Sequence, residues 1–320
     1  MVWMKRRNAS SSHALYDVLR GALKRLIPDL TDAEDAADAN SLTAFDSNGF
    51  SLGNQSHVNL SGGTFVAWNW KAGGTGSANT DGSISSTVSV NTEAGFSIVS
   101  YTGNGAAGAT VGHGLSKTPD LVIMKDRSDN SVNDNWFVTS SGLTNTTTYS
   151  ISLNGTYAES NVGGATSYGG GLALTSASVV TPISGTVDNR TSNESGDNYI
   201  AYCFHNVEGY SKFGKYIANA NSDGPFVYTG FRPRFIIFKG MDAATNWAMI
   251  DTVREPYNPS VKESPYTDAN VAESGTTYYK DILSNGFKIR ITTGGFNTGS
   301  GADYLYMAFA ENPFKYTTAR

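Results

Sequence analysis

The 320-residue sequence holds a single cysteine, Cys203. One thiol excludes an intrachain disulfide framework and a zinc site built on several cysteines. Cys203 lies within the apolar run Tyr199 to Phe204, which is the setting of a buried structural thiol. Histidine is also scarce: His13, His57, His113 and His205 form neither H-x-H nor H-x-x-x-H. Charged residues make up 16% of the chain, where an ordinary soluble domain has roughly 25%. The net charge of −5 argues against a nucleic-acid binder, which needs a basic face, although Lys5, Arg6 and Arg7 form a local basic patch. No run of about 18 apolar residues exists, so no helical membrane insertion is expected. The first twelve residues lack the apolar core of a secretory signal, so a surface or virion location would need a release route such as lysis.

What the chain has in abundance is Gly (35), Tyr (17) and Phe (15), with many Ser, Thr and Asn. This mixture suits short strands joined by tight turns and disfavours a helix bundle. At about 100–200 residues per domain, the length predicts two or three domains.

The sequence also repeats itself. Val2-Trp3-Met4-Lys5, Val122-Ile123-Met124-Lys125 and Ile236-Ile237-Phe238-Lys239 open three copies, with the lysines 120 and then 114 positions apart. A second short element follows each opening, at His13 to Asp17, Asn135 to Val138 and Asn246 to Asp251. A glycine-apolar step comes next, at Gly49 to Leu52, Gly171 to Leu174 and Gly286 to Ile289. Each copy closes on an apolar run, Phe65 to Trp68, Tyr199 to Tyr202 and Tyr306 to Phe309, with an alanine recurring at Ala67, Ala201 and Ala308. The closing runs are apolar on both alternating faces, as in a strand buried on two sides. A period near 115 residues is too long for a solenoid unit and predicts tandem domains, each with its own core. The fold class expected is all-β, with tandem antiparallel β-sandwich modules of lectin-like or jelly-roll-like kind.

The modules are placed at residues 1–74, 95–208 and 209–320, with 75–94 as a Gly/Ser/Thr-rich linker that could hold a weak strand. Copies two and three begin with leader strands near Phe96 to Tyr101 and Tyr210 to Phe213, which copy one lacks. Its sheet edge should therefore be open, and copy one either completed by a neighbouring chain or less well ordered. A short helix is allowed within residues 20–26 or 31–38, where apolar spacing is helix-like and Thr31 and Glu34 have capping-box spacing.

Chemical motifs are few. Gly103 to Gly108 reads G-x-G-x-x-G, but no helix pattern follows, so a β-turn is the reading preferred to a nucleotide loop. No G-x-S-x-G elbow supports acyl transfer, and no carboxylate pair stands out for glycoside hydrolysis. No catalytic residue and no cofactor are expected. Asp126, Asp129 and Asp134 lie in an oxygen-rich loop that is either a calcium site or ordinary solvated loop. Asp17/Arg20 and Asp251/Arg254 recur at matching positions, as a ligand site or, preferably, a structural ion pair. Trp68, Trp70, Trp136, Trp247, Tyr202 and Phe309 fall on strand patterns and are assigned to the core. Tyr149, Tyr157, Tyr168, Tyr257 and Tyr266 lie in the turn-rich insertions, where flat rings suit sugar stacking or protein contact.

Four strings carry a resemblance: Val66 to Gly74, Glu208 to Tyr216, Gly224 to Pro233 and Met307 to Tyr316. Together they resemble repeated modules of virion-associated proteins of marine and cyanobacterial tailed phages, often labelled tail or tail-fibre proteins. The resemblance covers nearly the whole chain but brings no catalytic residues. It implies a non-enzymatic virion structural protein, part of a tail or fibre. Its expected partners are other virion proteins, copies of itself in a homotrimer, and a host surface glycan. A head decoration or tail-connecting protein is the alternative, and a glycan-degrading enzyme the reading from another class.

Overall fold

Short runs of alternating apolar residues, punctuated by Gly, Asn and Ser turns, give an all-β chain. A computed structural model describes residues 1–128, 134–164, 170–184, 190–258, 266–273, 279–292 and 295–312. The first module contains β1 (Val2–Arg6), β2 (Ala14–Asp17), β3 (Gly21–Leu26), β4 (Leu42–Asp46), β5 (Gly49–Leu52), the one-turn α1 (Ser56–Asn59) and β6 (Phe65–Asn69). The second contains β7 (Ser77–Asn79), β8 (Ser86–Asn91), β9 (Phe96–Thr102), β10 (Val111–Gly112), β11 (Leu121–Asp126), β12 (Phe137–Ser140) and β13 (Tyr149–Ser152). It continues with β14 (Ser160–Asn161), β15 (Leu172–Ala173), β16 (Val179–Pro182), α2 (Arg190–Asn193) and β17 (Asn198–Phe204). The third contains β18 (Ser211–Ile217), β19 (Phe226–Tyr228), β20 (Pro233–Gly240), β21 (Ala248–Asp251), β22 (Lys280–Leu283), β23 (Gly286–Ile289) and β24 (Asp303–Ala310).

Each module has a front and a back sheet, all pairings within them antiparallel. The front sheets run β3-β2-β1-β6, β14-β13-β12-β11-β17-β9-β8-β7 and β18-β24-β20-β21, and the back sheets β4-β5, β10-β16-β15 and β19-β23-β22. The three front sheets share the core order β6-β1-β2, β17-β11-β12 and β24-β20-β21. Modules two and three add a leader strand, β9 or β18, on the outer edge of the closing strand. In module one β6 is the last strand of its sheet among the described residues.

Register makes the repeat exact enough to correct two sequence alignments. Met4 pairs Ala67 and Met124 pairs Ala201, but the equivalent Phe238 pairs Tyr306, and Ala308 lies two residues further on, opposite Ile236. The recurring alanine thus holds in two copies only. Likewise Gly286–Ile289 is the middle strand of its back sheet, whereas Leu172–Ala173 is an edge strand, so the true counterpart in module two is β16.

Strand alternation sends side chains to two cores. Val2, Met4 and Tyr16 face one cluster, Val122 and Met124 a second, and Ile236, Phe238 and Ile250 a third, each beneath its own back sheet. The intervening positions of all three modules, Trp3/Ile123/Ile237 and Leu15/Val138/Met249, meet in a single further cluster. Each module therefore has a core of its own, and in addition every front sheet is covered on its second face by the other modules. The equivalent residues Trp70, Phe204 and Phe309 meet one another there, with ring centroids 6.4, 5.5 and 6.0 Å apart. The three modules thus surround an approximate threefold axis.

One expectation is overturned and another holds in its alternative form. Residues 21–26 form β3, and no helix occurs in 31–38. Asp17 Oδ1 accepts the Leu19 and Arg20 amides, turning the chain, and Gly21 (φ 88°) and Leu23 (φ 76°) then prevent a helix. Val18 and Leu19 owe their apolar spacing to packing on the shared core. Residues 75–94, read as a linker that could hold a weak strand, supply β7 and β8, which extend the second front sheet; Ile84 and Val88 join the second module's core, and Ser86 and Ser89 are buried with their hydroxyls donating to Gly112 O and Gly74 O.

Candidate functional site

The polar residues that the repeat singles out lie at the seams between modules, and their contacts follow one cyclic direction. Just before the second strand of each module stand His13, Trp136 and Trp247. Trp136 Nε1 donates to Ile27 O of module one (3.0 Å), and Trp247 Nε1 donates to Ser152 O of module two (2.8 Å). At His13, Trp3 Nε1 donates to Nδ1 (2.9 Å), which leaves the proton on Nε2 to donate to Tyr266 O of module three (2.8 Å). Burial pushes the His13 pKa down to about 3, so the ring is neutral and acts as a smaller indole. The three backbone amides at this position are each held by one side-chain oxygen, from Asp29, Asn154 and Asp268 (2.8–2.9 Å).

Two of the three recurring lysines, Lys5 and Lys239, reach across the same seams. Lys5, Lys125 and Lys239 are fully buried in apolar strands, where an ammonium must find acceptors. Lys5 Nζ donates to Val271 O (2.8 Å) of module three, and Lys239 Nζ to Thr156 O (2.8 Å) of module two and to Thr245 O (2.5 Å). Lys125 Nζ donates to Asp126 O (2.6 Å). Burial lowers the Lys5 and Lys239 pKa values to about 8. Two residues beyond each lysine, the Arg7, Arg127 and Met241 carbonyls accept the amides of Glu273, Glu34 and Glu159 at 2.8, 3.1 and 2.9 Å.

The Asp–Arg pairs are structural, as expected, and they too reach across seams. Arg20 Nε lies 2.5 Å from Asp17 Oδ2 with both side chains fully buried, and Arg254 grips Asp251 in the same way. Tyr202 OH of module two donates to Asp17 Oδ2 (2.7 Å), and Trp68 Nε1 of module one donates to Asp251 Oδ2 (3.3 Å). Burial alone would raise the Asp17 carboxyl; the Arg20 guanidinium and the Tyr202 hydroxyl outweigh it and hold the pKa below its ordinary value. Glu34 then bridges Arg20 (3.1 Å) and Arg127 (2.9 Å), as Glu273 bridges Arg254 and Arg7.

Sequence reasoning used the lysine only to align copies and passed over the Asp29/Asn154/Asp268 and Glu34/Glu159/Glu273 sets. A lysine recurring in mid-strand among apolar neighbours was the available signal, because such a charge needs a built carbonyl cage. The two acid sets recur only after the register is known.

The residues nominated for binding are not gathered. Tyr157 and Tyr257 are 68% and 83% exposed, in modules two and three. Tyr149 packs against the shared core and Tyr266 against the third module's core, which corrects their reading as free loop rings. Tyr168 lies outside the described residues. Asp126 and Asp134 are buried, and Asp129 lies outside the described residues. Asp126 Oδ1 accepts the Ser128 amide (2.8 Å), and burial, with help from Asp197 and Asp134, raises its pKa to about 7. Among the described residues, no group of three His, Cys, Asp or Glu side chains could hold a metal ion. The Gly103–Gly108 segment is a turn leading to β10, as expected. Cys203 is buried, with its thiol pushed up to about 12 by burial.

Two cavities lie along β6. A cavity of about 540 Å³ runs beside Phe65, Val66, Ala67, Trp68, Asn69 and Trp70, with Phe235 and Phe309 of module three on its far wall. A second, of about 880 Å³, lies at the Asn69–Trp70 end, against Phe45 and Phe50 of the β4–β5 hairpin.

No helix among the described residues is long and apolar enough to cross a membrane. No curated protein and no solved structure matches the chain. A family model, described as a domain of unknown function, DUF7483, matches residues 1–313, and the chain belongs to that family.

Proposed function

We propose that the protein is a non-enzymatic virion structural protein, a tail or tail-fibre component that contacts the host surface, with a glycan as its ligand. The observation that carries this reading is where the recurring polar groups go. Lys5, Lys239, the Asp–Arg pairs with their Tyr202 and Trp68 donors, and Glu34 and Glu273 are consumed in holding three modules around a shared aromatic core. Such a body suits a load-bearing part. The strings that resemble phage tail modules lie on this framework, in β6, β18, β19 and β24, while the insertions between framework strands differ from module to module and expose Tyr157 and Tyr257. Surface loops on a rigid scaffold are where recognition is usually placed. Its partners in this reading are other virion proteins and further copies of itself, with a homotrimer expected.

A second reading, a head decoration or tail-connecting protein without a ligand, draws on the internal threefold repeat, which suits a threefold-symmetric position. Immunogold labelling of purified virions separates the two: gold on the tail or fibres supports adhesion, and gold over the head supports decoration. Absence of gold on particles whose capsid protein labels well would overturn both. Release of reducing ends from host polysaccharide would replace them with a glycan-degrading activity. Light scattering on the purified protein measures the trimer directly.

A further inference from the structure

We propose that the outer edge of β6 is a strand-addition site, and that its occupant is an extended segment of another polypeptide carrying an apolar residue followed three positions later by an aromatic one. The proposal stands apart from the virion reading.

The argument is the contrast between one open place and two filled ones. In module two β9 pairs the outer edge of β17, and in module three β18 pairs the outer edge of β24, each over seven residues. Among the described residues, no strand pairs the corresponding edge of β6. Trp70 N donates to Met1 O (3.0 Å) and Arg7 N donates to Thr64 O (2.7 Å), which fixes the even-numbered residues as those bonded to β1. By antiparallel alternation, Phe65, Ala67 and Asn69 turn their backbone N–H and C=O groups outward. These are the counterparts of Tyr199, Ala201 and Cys203, the residues of β17 that exchange bonds with β9.

The walls around the edge are likewise unfinished. At the seam between modules two and one, Gly76 lies so close to Leu19 that a Cβ there would stand 2.5 Å from Leu19 Cδ2. At the seam between modules three and two, Gly142, the counterpart of Leu19, faces Gly214 of β18, with its Cβ position 3.4 Å from the Gly214 carbonyl carbon. At the remaining seam the counterpart is Val253, which is 61% exposed beside the 540 Å³ cavity. Leu19 is covered by the segment at Gly76, Gly142 carries no side chain and abuts β18, and Val253 stands uncovered beside the β6 edge.

The filled places also specify the occupant. Ile98 sits opposite Tyr202 and Phe213 opposite Met307; both partners are counterparts of Trp68. Three residues on, Tyr101 stacks on Tyr199 (4.9 Å) and Tyr216 on Tyr304 (5.3 Å), counterparts of Phe65. The incoming strand therefore places an apolar side chain over Trp68 and an aromatic ring over Phe65, with main-chain bonds to Phe65, Ala67 and Asn69. Backbone pairing supplies the affinity and the two side chains the selectivity.

The test uses the intact protein and a synthetic peptide of residues 94–103 as probe, read by amide hydrogen exchange resolved at residues 65–69. We expect the peptide to slow exchange at Phe65, Ala67 and Asn69. A peptide with Tyr101→Ala should bind about tenfold more weakly, in line with loss of one aromatic pair and its burial. A peptide N-methylated at Val99, which cannot pair opposite Ala67, should give no protection. Equal protection by the methylated peptide would overturn the proposal. So would no protection at millimolar peptide, or amides at 65, 67 and 69 already as slow in the protein alone as those of Tyr199, Ala201 and Cys203. Protection that grows with protein concentration in the absence of peptide would assign the edge to a second copy and overturn the proposed occupant.

Discussion

Phe309→Ala should destabilise all three modules together, although the residue belongs to the third. Its ring lies 5.5 Å from Trp70 of module one and 6.0 Å from Phe204 of module two, with Phe213, Phe235 and Tyr210 completing the surround at 5.7–6.2 Å. Truncating a buried phenylalanine to alanine costs about 3–5 kcal/mol, the spread depending on how far the site collapses. Here collapse is opposed by three sheets held apart by their own back cores. Aromatic pairs also contribute about 0.5–1.5 kcal/mol each beyond area burial, without simple additivity. The upper end, about 4–5 kcal/mol, is therefore expected. Phe309→Leu, which nearly conserves volume, should cost less than about 1.5 kcal/mol. Urea unfolding gives the free energy, and hydrogen exchange read by mass spectrometry in fragments from residues 1–74, 95–208 and 209–312 locates it. A common rise in exchange is expected. Loss of protection confined to 209–312, or a cost below about 2 kcal/mol, would refute the shared core.

Three other outcomes follow from the seams. Tyr202→Phe removes a hydrogen bond to the buried Asp17 carboxylate and should cost about 1.5–3 kcal/mol in denaturant unfolding; a change under about 0.5 kcal/mol would contradict the cross-seam role. His13 is held neutral in the folded state, with its pKa down at about 3 against 6.5 when unfolded, so the unfolded chain binds the extra proton and stability falls as pH drops from 6.5 towards 3. At 1.36 kcal/mol per pH unit the loss reaches at most about 5 kcal/mol, and His13→Gln should make that part of the stability–pH curve shallower by about one proton. Cys203 should resist a thiol reagent at pH 8 until the protein unfolds, because its thiol is buried and pushed up to about 12; labelling of the native protein within minutes would disprove that placement.

The sequence discloses strands far better than what covers them. Tyr199 to Phe204 reads as buried on two sides, and so it is, but nothing in a period-two pattern tells that one covering layer is the module's own back sheet and the other two foreign modules. Residues 75–94 read as a linker because they are rich in Gly, Ser, Thr and Asn, yet only β7 is an exposed edge: β8 lies inside the sheet and buries Ser86 and Ser89, whose hydroxyls find carbonyl acceptors at Gly112 and Gly74. Residues 20–26 allow a helix because turn residues packing on a distant core, Val18 and Leu19, happen to fall at helical spacing with Leu23 and Leu26. The Asp–Arg pairs were legible as structural, yet their partners, Tyr202 and Trp68, are 185 and 183 positions away and become visible only with the register.

The third seam shows why those pairs recur in two copies and not three. Where modules two and one meet, Tyr202 brings a hydroxyl donor to Asp17, and where modules one and three meet, Trp68 brings an indole N–H to Asp251. The counterpart at the remaining seam is Met307, which has no donor. A buried carboxylate opposite it would lack one of its hydrogen bonds, at a cost of about 1–3 kcal/mol or more for a charged group. Module two has Ser140 and Leu143 at the positions of the Asp and Arg, and Leu143 joins Met307 in the shared core. Met241 replaces the arginine of the neighbouring seam contact in the same place, and Glu159, left without that partner, accepts the Thr144 amide instead (3.0 Å). The polar and apolar versions of the seam are thus each complete. A single exchange such as Leu143→Arg should cost about 3–5 kcal/mol in urea unfolding, since it would bury a cation opposite a thioether with no carboxylate to receive it, and a cost below about 1 kcal/mol would contradict this account of the seam.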